Sequence, residues 1–412
     1  LISWSALIAG YVRHAQGDDA LECFERMQSE GFFPDVVTSS CILKACASIG
    51  DLHVGQEIHS QIIKQGFEKD TFLGSILMDM YMKCGSFKET CQVFDELTTR
   101  DVVSWTTLIA GYVEHGFCEE ALSCLEKMQV DGTSADALTF VCILNGCGNA
   151  KDIKSGFQVH VLAIKRGLEG SSSISNALIR MYAEVNLFAE ARFVFDNLLV
   201  KDVLSWNSLI GGLNEYELFE EALKCIDQMK LNGTCMNITT FIHGLRSCAN
   251  MEDAKRSFEF HAEIIKNGFE KDSFIGNVLV DVYSKCGCLL ESQHVIDGLS
   301  DQSSVSWSSL IAGYAEHGHH KEVLDCLEHM QKKDNCQDVV TFICGLKACS
   351  SIGFVKKGLE LYIEIVKESL ESDIFVGSSV VDMFGKWGAL IEAQEVLDEL
   401  PVRNVVSWTA LI

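Results

Sequence analysis

Chemistry in this chain, if it has any, would have to come from its cysteines, histidines and short polar residues. His261-Ala262-Glu263 has the spacing in which an imidazole holds zinc and a carboxylate moves protons during hydrolytic deamination. The corresponding positions earlier in the chain read His59-Ser60-Gln61 and His160-Val161-Leu162, and no Cys-x-x-Cys occurs to complete such a site. Cys41 and Cys46 stand five residues apart, about 140° round a helix, which is poor for sharing a metal. Cys286-Gly287-Cys288 occurs in one place only and reads as packing and turn. A phosphate-binding GxxxxGK[ST] loop is missing, and no Ser-His-Asp set has a sequence signature. The chain therefore predicts no catalytic set, no metal site and no cofactor.

The elements that carry these residues are set by a repeat. Trp4, Trp105, Trp206, Trp307 and Trp408 stand 101 residues apart without slippage, so one supersecondary unit is copied at fixed length. Cys23, Cys124, Cys225 and Cys326 keep the same interval, as do Cys46, Cys147, Cys248 and Cys349. Eighteen cysteines in a short secreted chain would suggest disulfides, but cysteines in repeat register on a 412-residue chain read as reduced, packed thiols.

Each period divides into three helical hairpins of 35, 35 and 31 residues. The first is Leu1–Asp35, recurring as Val102–Asp136, Val203–Asn237 and Ser304–Asp338. Trp105, Leu108, Ile109 and Tyr112 form one face of its first helix, and Ala121, Leu122, Leu125 and Met128 one face of its second. The second hairpin is Val36–Asp70, with copies at Ala137–Ser171, Ile238–Asp272 and Val339–Asp373, and carries Thr38, Thr139, Thr240 or Thr341 three residues in. The third is Thr71–Asp101, with copies at Ser172–Asp202, Ser273–Ser303 and Ile374–Asn404. The expected fold is all-α, a right-handed α-solenoid superhelix of twelve complete hairpins and a partial thirteenth. It forms a single array over 1–412, with triplets at 1–101, 102–202, 203–303 and 304–404 and a truncated motif at 405–412. Both ends look cut, so the sequence reads as an excerpt.

Composition narrows the function. A formal net charge of −25 argues against a protein that grips DNA or RNA mainly by neutralising phosphates. No run approaches the ~18 apolar residues of a membrane span, and no signal or transit sequence opens the chain. Neither a membrane nor DNA is an expected partner.

VVSWTTLIAGYVEHG with EEALSCLEKM, LTFVCILNGC with a later His, and SNALIRMYAE with FVFDNL resemble the pentatricopeptide repeats of plant organelles. The 35-35-31 order is similar to the PLS subclass, in which P, L and S motifs alternate. The resemblance spans essentially the whole chain and implies single-stranded RNA binding at one base per repeat, with the fifth and last residues of a motif choosing the base. For P motifs those pairs are Ser5 with Asp35, Thr106 with Asp136, Asn207 with Asn237 and Ser308 with Asp338. For S motifs they are Ser75 with Asp101, Asn176 with Asp202, Asn277 with Ser303 and Ser378 with Asn404. Among L motifs only Ser40 with Asp70 is a readable pair, because Val141, Ile242 and Ile343 cannot hydrogen-bond. The family's preferences imply G, G or unread, G; G, unread, U; pyrimidine, unread, C; G, unread, A.

By the same resemblance the second residue packs on bases, which fits Ile2, Val37, Phe72, Val103, Leu204, Phe274, Val305 and Phe375; Ser173 and Thr239 depart from it. A basic thirteenth residue would meet phosphate, as at Arg13, Lys83, Lys285 and Lys386, whereas Glu114, Glu184, Glu215 and Glu316 fill that slot elsewhere. The subclass implies a mitochondrial or chloroplast protein whose targeting peptide lies outside this segment. It also implies a role in specifying cytidine-to-uridine editing of an organellar transcript, with editing-complex proteins or a deaminase as partners. Two other readings stand beside these. The polar fifth and last residues are also good helix caps, and a peptide-binding scaffold of the tetratricopeptide kind shares the helical spacing, though not the uniform 34-residue repeat.

Overall fold

The computed structural model describes residues 2–67, 69–299, 302–332, 337–370, 372–401 and 408. Among them every regular element is helical: twenty-four α-helices, α1 (Ile2–Arg13) to α24 (Leu390–Glu399), and one 3-10 turn at Leu168–Gly170. Odd-numbered helices open the hairpins and even-numbered helices close them. The hairpins coincide with the sequence period: α7 (Val102–Glu114) pairs with α8 (Cys118–Val130), α9 (Ala137–Asn149) with α10 (Ile153–Lys165), and α11 (Ser172–Glu184) with α12 (Phe188–Asp196). The 31-residue hairpins are short because their second helix is cut. α12 has 9 residues and α18 (Leu289–Gly298) has 10, against 13 in α8 and α10.

The chain forms two compact units, 1–212 and 213–412. Within the first, each opening helix packs on its own partner and on the next opening helix, so α5 (Thr71–Lys83) touches α7, α7 touches α9 and α9 touches α11. The second unit repeats this from α15 (Ile238–Met251) through α17 (Ser273–Lys285), α19 (Ser304–Glu316) and α21 (Val339–Ile352) to α23 (Ile374–Trp387). Among the described residues of each unit, the helix packing runs between neighbouring hairpins, the arrangement of an α-solenoid. Of the face expected from Trp105, the residues Trp105, Leu108 and Ile109 are buried, but Tyr112 is half-buried and its hydroxyl reaches Cys91 Sγ at 3.3 Å. Ala121, Leu122, Leu125 and Met128 are buried as expected.

Two backbone requirements fix the length of the unit. The tenth residue of each P motif is glycine, and it faces the preceding opening helix. A Cβ at Gly313 would lie 2.6 Å from Ser284 Cβ, and one at Gly111 would collide with Met82. A Cβ at Gly212 would collide with Ala183 Cβ, whereas one at Gly10 meets nothing within 4 Å. Close helix approach across the motif junction is thus the reason for the glycine. The turn inside each P hairpin puts one residue at positive φ: Gly116 at 78° and Gly318 at 75°, but also Ala15 at 56° and Glu217 at 60°.

Of the register cysteines, Cys23 is half-buried and the other seven are buried, and none forms a disulfide among the described residues. Burial raises the Cys46, Cys248 and Cys326 thiols to about 12, which leaves them protonated and unreactive near neutral pH. His261, first residue of the deaminase-like triplet, holds Tyr283 Oη at 2.8 Å through Nδ1, and Glu263 pairs with Lys230 at 2.8 Å. The same imidazole–phenol link recurs at His59–Tyr81 and His160–Tyr182, so it is a joint between L and S hairpins.

A left-handed backbone costs a non-glycine residue about 1–2 kcal/mol, so Glu217→Gly is expected to raise stability by about 1 kcal/mol, after the larger unfolded-state entropy of glycine is allowed for. Chemical denaturation of the two proteins measures it.

Candidate functional site

The last residue of a hairpin caps the next opening helix in every described copy except Ser171, whose side chain makes no cap hydrogen bond. Asp35, Asp70, Asp101, Asp136, Asp202, Asn237, Ser303 and Asp338 all accept the backbone N–H three residues on, at the start of the next opening helix. A helix leaves its first N–H groups without partners, and a short acceptor in the preceding residue satisfies one of them. The backbone there is extended, with Asp35 at φ −89°, ψ 179° and Asp136 at φ −90°, ψ 177°. Asp51, Asp152 and Asp253 cap closing helices in the same way, so capping alone does not distinguish the reading positions. Hydrogen bonds from Thr38 and Thr139 hold the Asp35 and Asp136 carboxyls below the usual carboxylate range.

None of the fifth residues caps a helix. They lie one turn inside their helices, and four of them reach the cap of the next opening helix. Thr106 Oγ1 is 3.0 Å from Thr139 Oγ1, which in turn donates to Asp136 Oδ1 at 2.7 Å. Ser5, Thr38 and Asp35 repeat this chain at 2.8 and 2.7 Å. Ser308 reaches Asp338 Oδ2 directly at 2.8 Å, and Ser303 Oγ donates to Asn277 Oδ1 at 3.3 Å. These four pairs are brought together. Ser75, Ser378 and Ser40 instead donate to main-chain carbonyls of their own helices, at Thr71, Ile374 and Val37, and Ser75 makes no hydrogen bond to Asp101. Asn176 is buried with Oδ1 unpartnered, while Asp202 caps the next helix through Ser205. Asn207 is buried in the first unit and Asn237 caps α15 in the second. Asn404 lies outside the described residues.

The second residue precedes the fifth by one helical turn, on the same face. Val37, Phe72, Val103, Leu204, Phe274, Val305 and Phe375 are between 57% and 69% exposed. Apolar exposure also recurs at Ile63, Ile164, Ile265 and Val366, but the second residues are the ones that share a face with the polar fifth residues. The side chain of Ile2 lies outside the described residues.

The thirteenth residues are less available than their charge suggests. Lys83 pairs with Asp79 at 3.1 Å, Lys285 with Asp281 at 2.9 Å and Lys386 with Asp382 at 2.7 Å, each four residues back on the same helix. Such exposed pairs are weak and exchange partners readily. Arg13 is exposed at the end of α1. The sequence reading missed a second set of cations. Lys44, Arg246 and Lys347, the ninth residues of three L motifs, are exposed and form no ion pair among the described residues. Seven residues after the second position they return to the same helical face. Their signal was register: basic residues at one position of hairpins whose fifth residue is mostly aliphatic.

Comparison with known proteins follows the same register. The sequence profile of the PPR repeat family matches residues 1–48 and 100–149, and that of the PPR repeat matches 75–102, 204–234 and 305–335. A pentatricopeptide repeat-containing protein of Arabidopsis thaliana is 30% identical over 415 residues, covering 100% of this chain and 50% of the relative. A chloroplastic one is 31% identical, covering 100% and 48%, and a mitochondrial one is 30% identical, covering 98% and 59%. The chain thus spans about half the length of the curated relatives it matches. The crystal structure of the pentatricopeptide repeat protein PPR10 in complex with an 18-nt psaJ RNA element superposes with a TM-score of 0.51 at 18% identity, over 99% of this chain and 66% of that one.

Replacing Asp136 by Ala removes a cap and is expected to cost about 0.5–2 kcal/mol of stability, whereas Asp136→Asn, which keeps an acceptor as Asn237 does, should cost far less. Thermal melts of the two variants against the parent test this order.

Proposed function

Because the chain belongs to the pentatricopeptide repeat family, we propose that it is a sequence-specific single-stranded RNA-binding module that reads one base per hairpin. The observation that carries this is the pairing of an exposed apolar second residue with a polar fifth residue one turn away, repeated from hairpin to hairpin. A base face stacks on the first while the base edge meets the second. The 35-35-31 alternation supports assignment to the PLS subclass. Solvent-exposed Val103 with Thr106 and Asp136 is the clearest reader and asks for G. Asn176, with Asp202, asks for U.

The proposed order along RNA, 5′ to 3′, is G, G or unread, G; G, unread, U; pyrimidine, unread, C; G, unread, A, about twelve nucleotides at one per hairpin. L motifs contribute position more than readout: Lys44, Arg246 and Lys347 stand where phosphates pass. The relatives named chloroplastic and mitochondrial make an organellar transcript the natural target. Editing of a cytidine in that transcript is the proposed use, the chemistry being supplied by a deaminase or editing-complex partner rather than by this segment.

Filter binding of the proposed RNA against a scrambled one tests the reading, with selective retention of the first expected. Equal, negligible retention of both would instead support a peptide-binding scaffold. Asn176→Thr should move the preference at the sixth nucleotide from U toward G, and an unchanged preference there defeats the assignment of that pair. Replacing Lys44, Arg246 and Lys347 together by Gln should flatten the dependence of log affinity on log salt by about 2, the release expected for three single-strand phosphate contacts, without changing base preference.

A further inference from the structure

The fifth and last residues do not meet the solvent with arbitrary hydrogen-bond polarity, because a third side chain sits behind them. Thr38, Thr139 and Thr240 are fully buried and lie three residues into the hairpin that follows. Thr139 donates its backbone N–H to Asp136 Oδ1 at 2.9 Å and its hydroxyl to the same oxygen at 2.7 Å. A carboxylate accepts only, so the Thr139 hydrogen points at Asp136, and Thr139 Oγ1 must accept from Thr106. The hydroxyl hydrogen of Thr106 is therefore directed inward and its outward side is an acceptor. Asp136 Oδ2, which makes no hydrogen bond among the described residues, is a second acceptor. Two adjacent acceptors match a base edge with two adjacent donors, and among the four bases only guanine offers N1–H beside N2–H₂.

In the third triplet the same threonine acts on an amide. Asn237 Oδ1 accepts from Thr240 N at 3.0 Å and from Thr240 Oγ1 at 2.9 Å, which turns the Nδ2 donors to the other side of the head group. Taking the fifth and last residues as the base-facing pair proposed above, we propose that Thr38, Thr139 and Thr240 are specificity-determining positioning residues. Each holds one side of the capping head group, so the opposite side is an acceptor when that residue is Asp and a donor when it is Asn. Two natural contrasts delimit the role. Thr341 sends its hydroxyl to the Asp338 main-chain carbonyl at 2.7 Å, and Ser308 contacts the Asp338 carboxylate itself. At the S-to-P junctions Ser104 and Ser205 likewise donate to main-chain carbonyls, of Asp101 and Asp202.

The test measures affinity for RNAs that differ only at the fourth nucleotide, for the parent chain, Thr139→Val and Thr139→Ser. The parent and the serine variant should prefer G to A there. The valine variant, whose Thr106 hydroxyl is free to turn outward and donate, should lose roughly tenfold of that ratio, within the discrimination a two-bond base contact provides. Thr341→Val should leave the ratio at the tenth nucleotide unchanged. Thr139→Val with the parental ratio, its affinity lowered equally for every RNA, overturns the proposal and leaves Thr139 as packing under a cap. A parent without preference at the fourth nucleotide overturns the base-reading assignment itself, and this proposal with it. Should Thr139→Val melt below the assay temperature, Thr38→Val read at the first nucleotide decides by the same criteria.

Discussion

One hydrogen bond recurs at the junctions of this solenoid: the last side chain of a hairpin accepts a free N–H from the first turn of the next opening helix, three residues on. Where it forms it fixes the start of the opening helix, with the capping residue in an extended backbone, as at Asp101 with φ −93° and ψ 177°. Because the bond is made by one oxygen of the head group, the other side of that group is left at the surface. In the proposed reading, structure and recognition use opposite sides of the same residue. A one-residue insertion before Asp101 would leave the cap intact but shift the next helix against the one before it, where Gly111 faces Met82 with no room for a Cβ.

The division between scaffold and display follows from this. Trp105, Leu108 and Ile109 turn into the core, while Val103 on the other face of the same helix is held open. Val103 is exposed at the same register position as Phe72, Leu204 and Val305, which is where the proposed reading stacks the bases. Charge is handled locally. The acids at Asp79, Asp281 and Asp382 neutralise the lysines one turn onward, whereas Lys44, Arg246 and Lys347 in L hairpins make no such pair among the described residues. An acidic chain can carry a modestly basic face in this way, provided that affinity comes mainly from stacking and edge contacts.

The polar chemistry that seemed suggestive along the chain is absorbed into joints between hairpins. His59, His160 and His261 bind the hydroxyls of Tyr81, Tyr182 and Tyr283, and burial pushes His59 and His261 toward the neutral imidazole that such a bond favours. In the fourth copy Tyr362 and Phe384 replace the pair with an edge-on ring contact at 5.6 Å, so the joint tolerates an apolar version. That substitution at an otherwise repeated contact argues for packing rather than catalysis.

The amino-acid sequence by itself determined the period, the three hairpin lengths and the positions of the buried apolar residues. It could do so because every contact in a solenoid is between neighbours, which makes the fold a nearly one-dimensional problem. It also marked Ser5, Thr106 and Ser308 as fifth residues and Asp35, Asp136 and Asp338 as last ones, since these are fixed offsets in a repeat. The pairing of Lys83 with Asp79 was within reach of the same reasoning, four residues being one helical turn. What the tertiary structure alone decided is which way the hydrogens point. Thr106 meets Thr139 across 33 residues of chain, and the polarity of that contact depends on Asp136, a proton acceptor on a third element. Spacing gives which residues share a face, but the direction of a hydrogen bond is set by what lies behind the side chain, and that appears only when one hairpin is packed against the next.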